Sequence, residues 1–206
     1  MKDAQYARQA GAWTDRAYAD ARTYLAHRAD LVVELGAELV PGEEVLDLAC
    51  GDGGLGDYQL ARGLRYRGLD STPEMVEAAT SRLDDHAAIA LGDLNAYVPP
   101  TPVAATTVFR AIYYARDRRA FFRHVEVFTE KKLVFDLNPR QYALEDVLAD
   151  LRAAGFARIA LRPFFMPQRV VLPRRAAALA QALERSGPLA RLALRFRFTY
   201  LVAASR

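Results

Sequence analysis

Three glycines, Gly51, Gly53 and Gly56, follow closely on the apolar run Val45–Leu48, with Asp47 inside that run and Asp52 inside the turn. Glycines at this spacing let the backbone turn tightly and approach a ligand that a Cβ would hold off. The spelling Gly51-x-Gly53-x-x-Gly56 fits a dinucleotide-binding turn, but the charges argue otherwise. A dinucleotide brings a doubly negative pyrophosphate to such a turn, and like charges about 4 Å apart repel by roughly 4 kcal/mol at a surface-like dielectric. A ligand with cationic centres is attracted by the same acids. Asp47, Ala49, Gly51, Asp52 and Gly53 are therefore expected to cradle a positively charged group. Asp70 closes the next β-like run and Asp93 follows a third. A carboxylate at the first of these positions can accept from both hydroxyls of a ribose, and one at the second from an exocyclic adenine amine.

These residues need a scaffold that brings three strand ends together. Strands are expected at 44–48, 65–69, 87–91, 105–110, 132–136, near 157–163 and near 195–204. Helices are expected at 22–39, where Leu25, Ala29, Val32, Leu35 and Leu39 form one stripe, and at 54–63, 116–128, 141–154 and 174–186. A further helix opens at Ser71-Thr-Pro-Glu74, which spells a capping box with proline in the first turn. Gly155 suits the cap after the helix at 141–154. Strands alternating with helices imply an α/β fold with a mostly parallel sheet covered on both faces. Ligands in such sheets bind at the carboxyl ends of the strands, beside the point where strand order reverses.

The chain resembles the class I S-adenosylmethionine-dependent methyltransferases over nearly its whole length. Val45-Leu-Asp-Leu-Ala-Cys-Gly-Asp-Gly-Gly-Leu-Gly56 looks like their first motif, with Ala49 in place of the usual glycine. The runs from Tyr66 to Ala79 and from Ala90 to Tyr97 look like the second and third. The resemblance implies a Rossmann-like three-layer sandwich whose seven-stranded sheet ends in an antiparallel strand placed between strands five and six. It implies S-adenosyl-L-methionine as cofactor and S-adenosyl-L-homocysteine as product. It also implies Asp70 and Ser71 on the ribose, Met75 packed on the nucleoside, Asp93 and Leu94 around the adenine, and Arg110 among the cofactor contacts.

Methyl transfer is an in-line displacement that needs donor and nucleophile held close, and a base only where the nucleophile carries a proton. Aromatic faces suit a sulfonium, which makes Tyr113 and Tyr114 after the fourth strand candidate catalytic residues. The N-terminal residues 1–40, with Tyr6, Trp13, Tyr18 and Tyr24, are expected to fold over the site as a helical lid, with His27 as a candidate base. Residues 163–192 are expected to form a substrate cover within one domain spanning 1–206. Tyr18, Arg140, Phe165 and Arg169 are the candidate substrate contacts. The chain lacks the Asn/Asp-Pro-Pro-aromatic motif of adenine and cytosine amino-methyltransferases, and Cys50 lies in the cofactor turn rather than where a cytosine C5 enzyme needs its thiol. A small anionic or amphipathic acceptor is therefore the leading expectation. The competing readings are an RNA or protein methyltransferase and a binding protein for the same cofactor without turnover.

Composition sets the remaining bounds. Apolar residues make up 52% and charged ones 26% of 206 residues, as in globular proteins. Of the net charge of +3, residues 151–206 contribute +10, from eleven arginines and a single acid, Glu184, leaving −7 for residues 1–150. Such asymmetry fits an anionic partner, including peripheral contact with a membrane surface, and equally an ordinary solvated face. Nucleic acid is not expected as a partner. One cysteine permits no internal disulfide and no cysteine-pair metal site. No membrane-spanning run and no signal-peptide core is present, so a cytoplasmic monomer or homodimer without metal is expected.

Overall fold

Residues 10–193 and 199–206 are described in the structure, a computed structural model of the chain. Strands β1 (Glu44–Leu48), β2 (Arg65–Asp70), β3 (Ala87–Leu91), β4 (Val103–Val108), β5 (Thr129–Leu137), β6 (Arg158–Phe164) and β7 (Thr199–Ser205) make one sheet, in the order β3-β2-β1-β4-β5-β7-β6. All neighbours pair in parallel except β7, which runs antiparallel to both β5 and β6. Helices α1 (Trp13–Ala17), α2 (Ala21–Glu34), α3 (Gly56–Leu60), α4 (Pro73–Leu83), α5 (Arg118–Phe128), α6 (Leu144–Ala153), α7 (Arg174–Arg185) and α8 (Pro188–Ala193) accompany the strands, with short 3-10 turns at Ala10–Ala12, Asp84–His86 and Ile112–Tyr114. The expected Rossmann-like three-layer sandwich, with its antiparallel last strand between the fifth and sixth, is the fold observed. The first part of that expected strand, together with Tyr6, lies outside the described residues.

Period-two alternation sorts the strand side chains onto two faces. Leu46, Leu48, Leu133, Phe135 and Val202 pack with Phe122 and Val125 of α5 and Leu151 of α6. Val45, Val134, Leu201 and Ala203 face the other way, onto Leu31, Val32 and Leu35 at the end of α2 and Phe164 at the end of β6. Burial on both faces explains why the central strands read as continuous apolar runs.

Two helix boundaries correct the sequence reading. The helix expected over 22–39 stops at Glu34, because Gly36 turns to φ +74 and the chain passes close to Ala203 there. The end is closed by Lys132 of β5, whose buried ammonium donates to the Val33 and Leu35 carbonyls at 2.9 and 2.8 Å. A cation suits carbonyls left without helical partners, although burial lowers the Lys132 pKa to about 8. At α4 the N-cap is Thr72, not Ser71, Pro73 takes the first helical position, and no side chain caps the helix. Asp70 supplies the missing acceptor, since its Oδ1 receives the Thr72 N–H at 2.9 Å.

Candidate active site

Because the chain runs outward from β1 to β3 and returns to β4, the sheet has a crevice at the carboxyl ends of β1 and β4. A cavity of about 440 Å³ opens there. Asp47 forms its floor: the carboxylate is buried, and takes the Thr107 hydroxyl at 2.7 Å and the Tyr66 phenol at 2.8 Å. Burial pushes the Asp47 carboxyl up to about 6, against the pull of those two hydrogen bonds.

The turn after β1 is held by Asp70. Its Oδ2 accepts from the Gly51 N–H at 2.9 Å, so one carboxylate ties the glycine turn to the start of α4. The glycines divide their work. A Cβ on Gly51 would meet the Trp13 ring at 3.3 Å over the cavity, whereas one on Gly53 would meet Leu83 and Ala79 of α4 at 3.0 and 3.2 Å. Gly51 therefore keeps the turn open to a ligand, and Gly53, which does not line the cavity, lets it pack on α4. Ala49 has φ +62, a conformation that costs an alanine roughly 1 kcal/mol. Glycine would remove that strain but lose about 0.5–1 kcal/mol to unfolded-state entropy. Ala49→Gly is accordingly expected to leave the melting temperature unchanged or slightly raised, and a clear drop would mean that the alanine methyl supplies packing that outweighs its strain.

Asp52 departs from its expected role. Its carboxylate accepts from Thr14 N and Oγ1 at 3.0 and 2.5 Å and from Gly54 N at 3.3 Å, and it pairs with Arg82 at 3.0 Å. It is a pin that fixes the N-terminal segment over the turn, with its charge already matched. The attraction for a cation thus falls to Asp47 and Asp70. Asp93 lies at the far wall, where both amides of Asn95 and then Arg116 hold its carboxyl below the usual carboxylate range. Met75 and Leu94 supply buried apolar surface between Asp70 and Asp93, and Ser71 also lines the cavity.

The roof is aromatic and cationic. Trp13 and Tyr18 face the Arg110 guanidinium at 5.4 and 5.6 Å from their centroids, and Tyr18 lies 4.5 Å from Tyr24. Tyr113 and Tyr114, ring centroids 4.5 Å apart, line the mouth on the turn after β4. Arg110 itself has φ +55, its N–H donates to Asp136 Oδ1 at 2.7 Å, and its Nη1 is buried without a partner among the described residues. Arg28, almost wholly buried on α2, also lines the cavity. It donates to the Tyr24 hydroxyl at 2.8 Å and to Asp136 Oδ2 at 3.3 Å, and stacks on Phe109 at 4.3 Å.

Besides Gly53, four sequence candidates do not line the cavity. His27 is buried on α2, 2.5 Å from Glu184 and stacked on Phe164. Arg140 and Arg169 are exposed, and Phe165 is half-buried with its N–H given to Glu184 at 2.6 Å. These placements correct the expectation of a histidine base and of substrate contacts at those positions. Arg28 and Asp136 were missed as site residues. The signal for Arg28 was a charge inside the apolar stripe of α2, three residues after Leu25 and four before Val32. Asp136, near the end of β5, turns both of its oxygens back to arginines of the cavity, Oδ2 to the Arg28 guanidinium and Oδ1 to the Arg110 N–H.

No protein-family model and no curated protein matches the chain. Solved structures do. A methyltransferase from Haloferax volcanii, in complex with the Trm112 methyltransferase activator, aligns with TM-score 0.65 at 19% identity over 94% of each chain. A TehB-like SAM-dependent methyltransferase from Corynebacterium glutamicum gives 0.66 at 16% identity, covering 100% of this chain and 98% of that one. Phosphoethanolamine N-methyltransferase 2 from Haemonchus contortus, in complex with S-adenosylmethionine, gives 0.63 at 16% identity, covering 88% of this chain and 52% of that one. The fold of this chain is that of the class I S-adenosylmethionine-dependent methyltransferases.

Proposed function

We propose that the protein binds S-adenosyl-L-methionine and transfers its methyl group to a small anionic or amphipathic acceptor, releasing S-adenosyl-L-homocysteine. The observation that carries this reading is the Gly51 N–H given to Asp70. In a dinucleotide site the amides of this turn face phosphate; here a carboxylate already occupies the first of them, and Asp47 lies below. Anionic pyrophosphate is disfavoured and a cationic ligand favoured. The cofactor supplies a methyl group activated by a sulfonium. In this assignment Asp70 accepts from the ribose hydroxyls, while Met75 and Leu94 enclose the base beside Asp93. Ala49, Gly51 and Ser71 line the backbone path. Arg110, with its buried unpartnered Nη1, takes a carboxylate, and Tyr18, Tyr113 and Tyr114 face the acceptor and exclude water.

Calorimetry with S-adenosylmethionine, S-adenosylhomocysteine and NAD tests the reading. Saturable binding of the first two and none of NAD is expected, and the opposite pattern would overturn it. Asp47 adds a pH signature. The empty site holds a proton on Asp47 below about pH 6, and a cationic ligand favours the carboxylate and must expel that proton. Affinity is therefore expected to fall below about pH 6, by up to about tenfold per pH unit. The same raised pKa makes this group's contribution to stability greatest below its ordinary 3.8 and lost as pH rises through about 6. Asp47→Asn should flatten the affinity profile, and an unchanged slope would remove Asp47 from the site.

A further inference from the structure

Among the described residues twelve large apolar side chains are exposed, and six of them fall between 170 and 192. Val170 and Val171 are 58% and 61% exposed, Leu179 and Leu183 of α7 61% and 37%, and Leu189 and Leu192 of α8 53% and 50%. Helices α7 and α8 pack on each other and on β6. The inner side of α7 is fixed by Ala177 and Glu184, seven residues apart and both buried. Leu179 and Leu183, one turn apart, therefore face outward by helical spacing and not for want of a core. The charge on this surface has one sign. Glu184, the sole acid of residues 151–206, is turned inward to His27 and the Phe165 amide. Arg169, Arg174 and Arg175 are exposed and make no ion pair among the described residues, while Arg185 pairs with Glu34 at 2.8 Å.

We propose that α7, α8 and the segment leading into them form a docking surface for an anionic lipid bilayer. Aliphatic side chains projecting between arginines match an interfacial helix, whose leucines enter the acyl boundary while guanidinium groups reach the headgroups. A second copy of the chain fits poorly, because a two-fold contact would set arginines against arginines with no exposed acid in residues 151–206 to answer them. RNA would use the arginines and leave the leucines and valines without a role, and this surface carries no exposed aromatic ring for stacking. A folded acidic partner would engage the arginines, but it would leave the six exposed leucines and valines between them to be buried against a polar surface.

The test is sedimentation of the full chain with vesicles of phosphatidylcholine alone and of phosphatidylcholine mixed with phosphatidylglycerol. Binding to the mixed vesicles is expected to exceed that to neutral ones by about tenfold or more. The exposed double variant Leu179→Ser/Leu183→Ser should weaken it by about tenfold with an unchanged melting temperature. Arg174→Glu/Arg175→Glu should abolish the preference for anionic vesicles while leaving the leucines intact. Failure to bind either vesicle, or binding to mixed vesicles that ignores the leucine substitutions, would overturn the proposal. Self-association abolished by the leucine substitutions, without vesicle binding, would overturn it in favour of a second copy.

Discussion

Asp70→Ala is expected to weaken S-adenosylhomocysteine binding by about a hundredfold. Two losses add. In the ligand complex the ribose hydroxyls lose their charged acceptor, worth about 1.5–3 kcal/mol for hydrogen bonds to a charged group. In the protein the Gly51 and Thr72 N–H groups lose the oxygens that receive them at 2.9 Å, so the turn after β1 and the start of α4 are no longer tied together. A total near 3 kcal/mol corresponds to about two orders of magnitude. Asp70→Asn separates the two contributions, since its single carbonyl can keep one of the amide contacts without the charge. It should fall between the parent and the alanine variant in affinity while melting close to the parent. Parent-like affinity of Asp70→Ala by calorimetry would dismiss the ribose assignment and leave Asp70 as a clasp on the glycine turn alone.

That dual use shows what the sequence could disclose and what it could not. The positions of the central strands were legible because they are apolar runs buried on both faces, with Asp47 inside the first and Asp70 closing the second, while the placing of the last strand between the fifth and sixth came from the family resemblance. Local spacing, however, carries no record of partners far along the chain. Asp52 appeared free to meet a cation because Thr14 is 38 residues away and Arg82 30 residues away. Gly36 and Lys132 end α2 together, yet the hydrogen bonds from Lys132 span 97 and 99 residues. Two oddities of composition did hold information that periodicity missed. A lone acid among eleven arginines turned out to be the buried Glu184, which fastens α2 through His27 to the segment leading into α7. A charge inside an apolar stripe turned out to be Arg28. In both cases the residue that violated the local pattern was the one held by a tertiary contact.

Asp136→Ala should be the most destabilising single change in the site, by about 3–5 kcal/mol, because it strands a buried charge. Arg28 is 1% exposed, and its other described contacts are the Tyr24 hydroxyl and the ring faces of Tyr24, Phe109 and Phe164. None of these carries the opposite charge, and Asp47, the other acid that acts on Arg28, makes no described hydrogen bond to it. The same substitution frees the Arg110 N–H, which Asp136 holds at 2.7 Å in a left-handed conformation, so the turn after β4 loosens as well. The double variant Asp136→Ala/Arg28→Met removes both ions and should recover most of the lost stability, whereas independent effects would make it at least as unstable as Asp136→Ala. Denaturant unfolding measures both. The functional consequence has the opposite sign. With Asp136 gone, the Arg28 guanidinium faces the cavity without its ion-pair partner, beside Arg110, so an anionic ligand should raise the melting temperature of Asp136→Ala more than that of the parent. If Asp136→Ala costs under about 1 kcal/mol, or if anions stabilise both proteins equally, then Arg28 is neutralised by other means and adds no positive charge for an acceptor to answer.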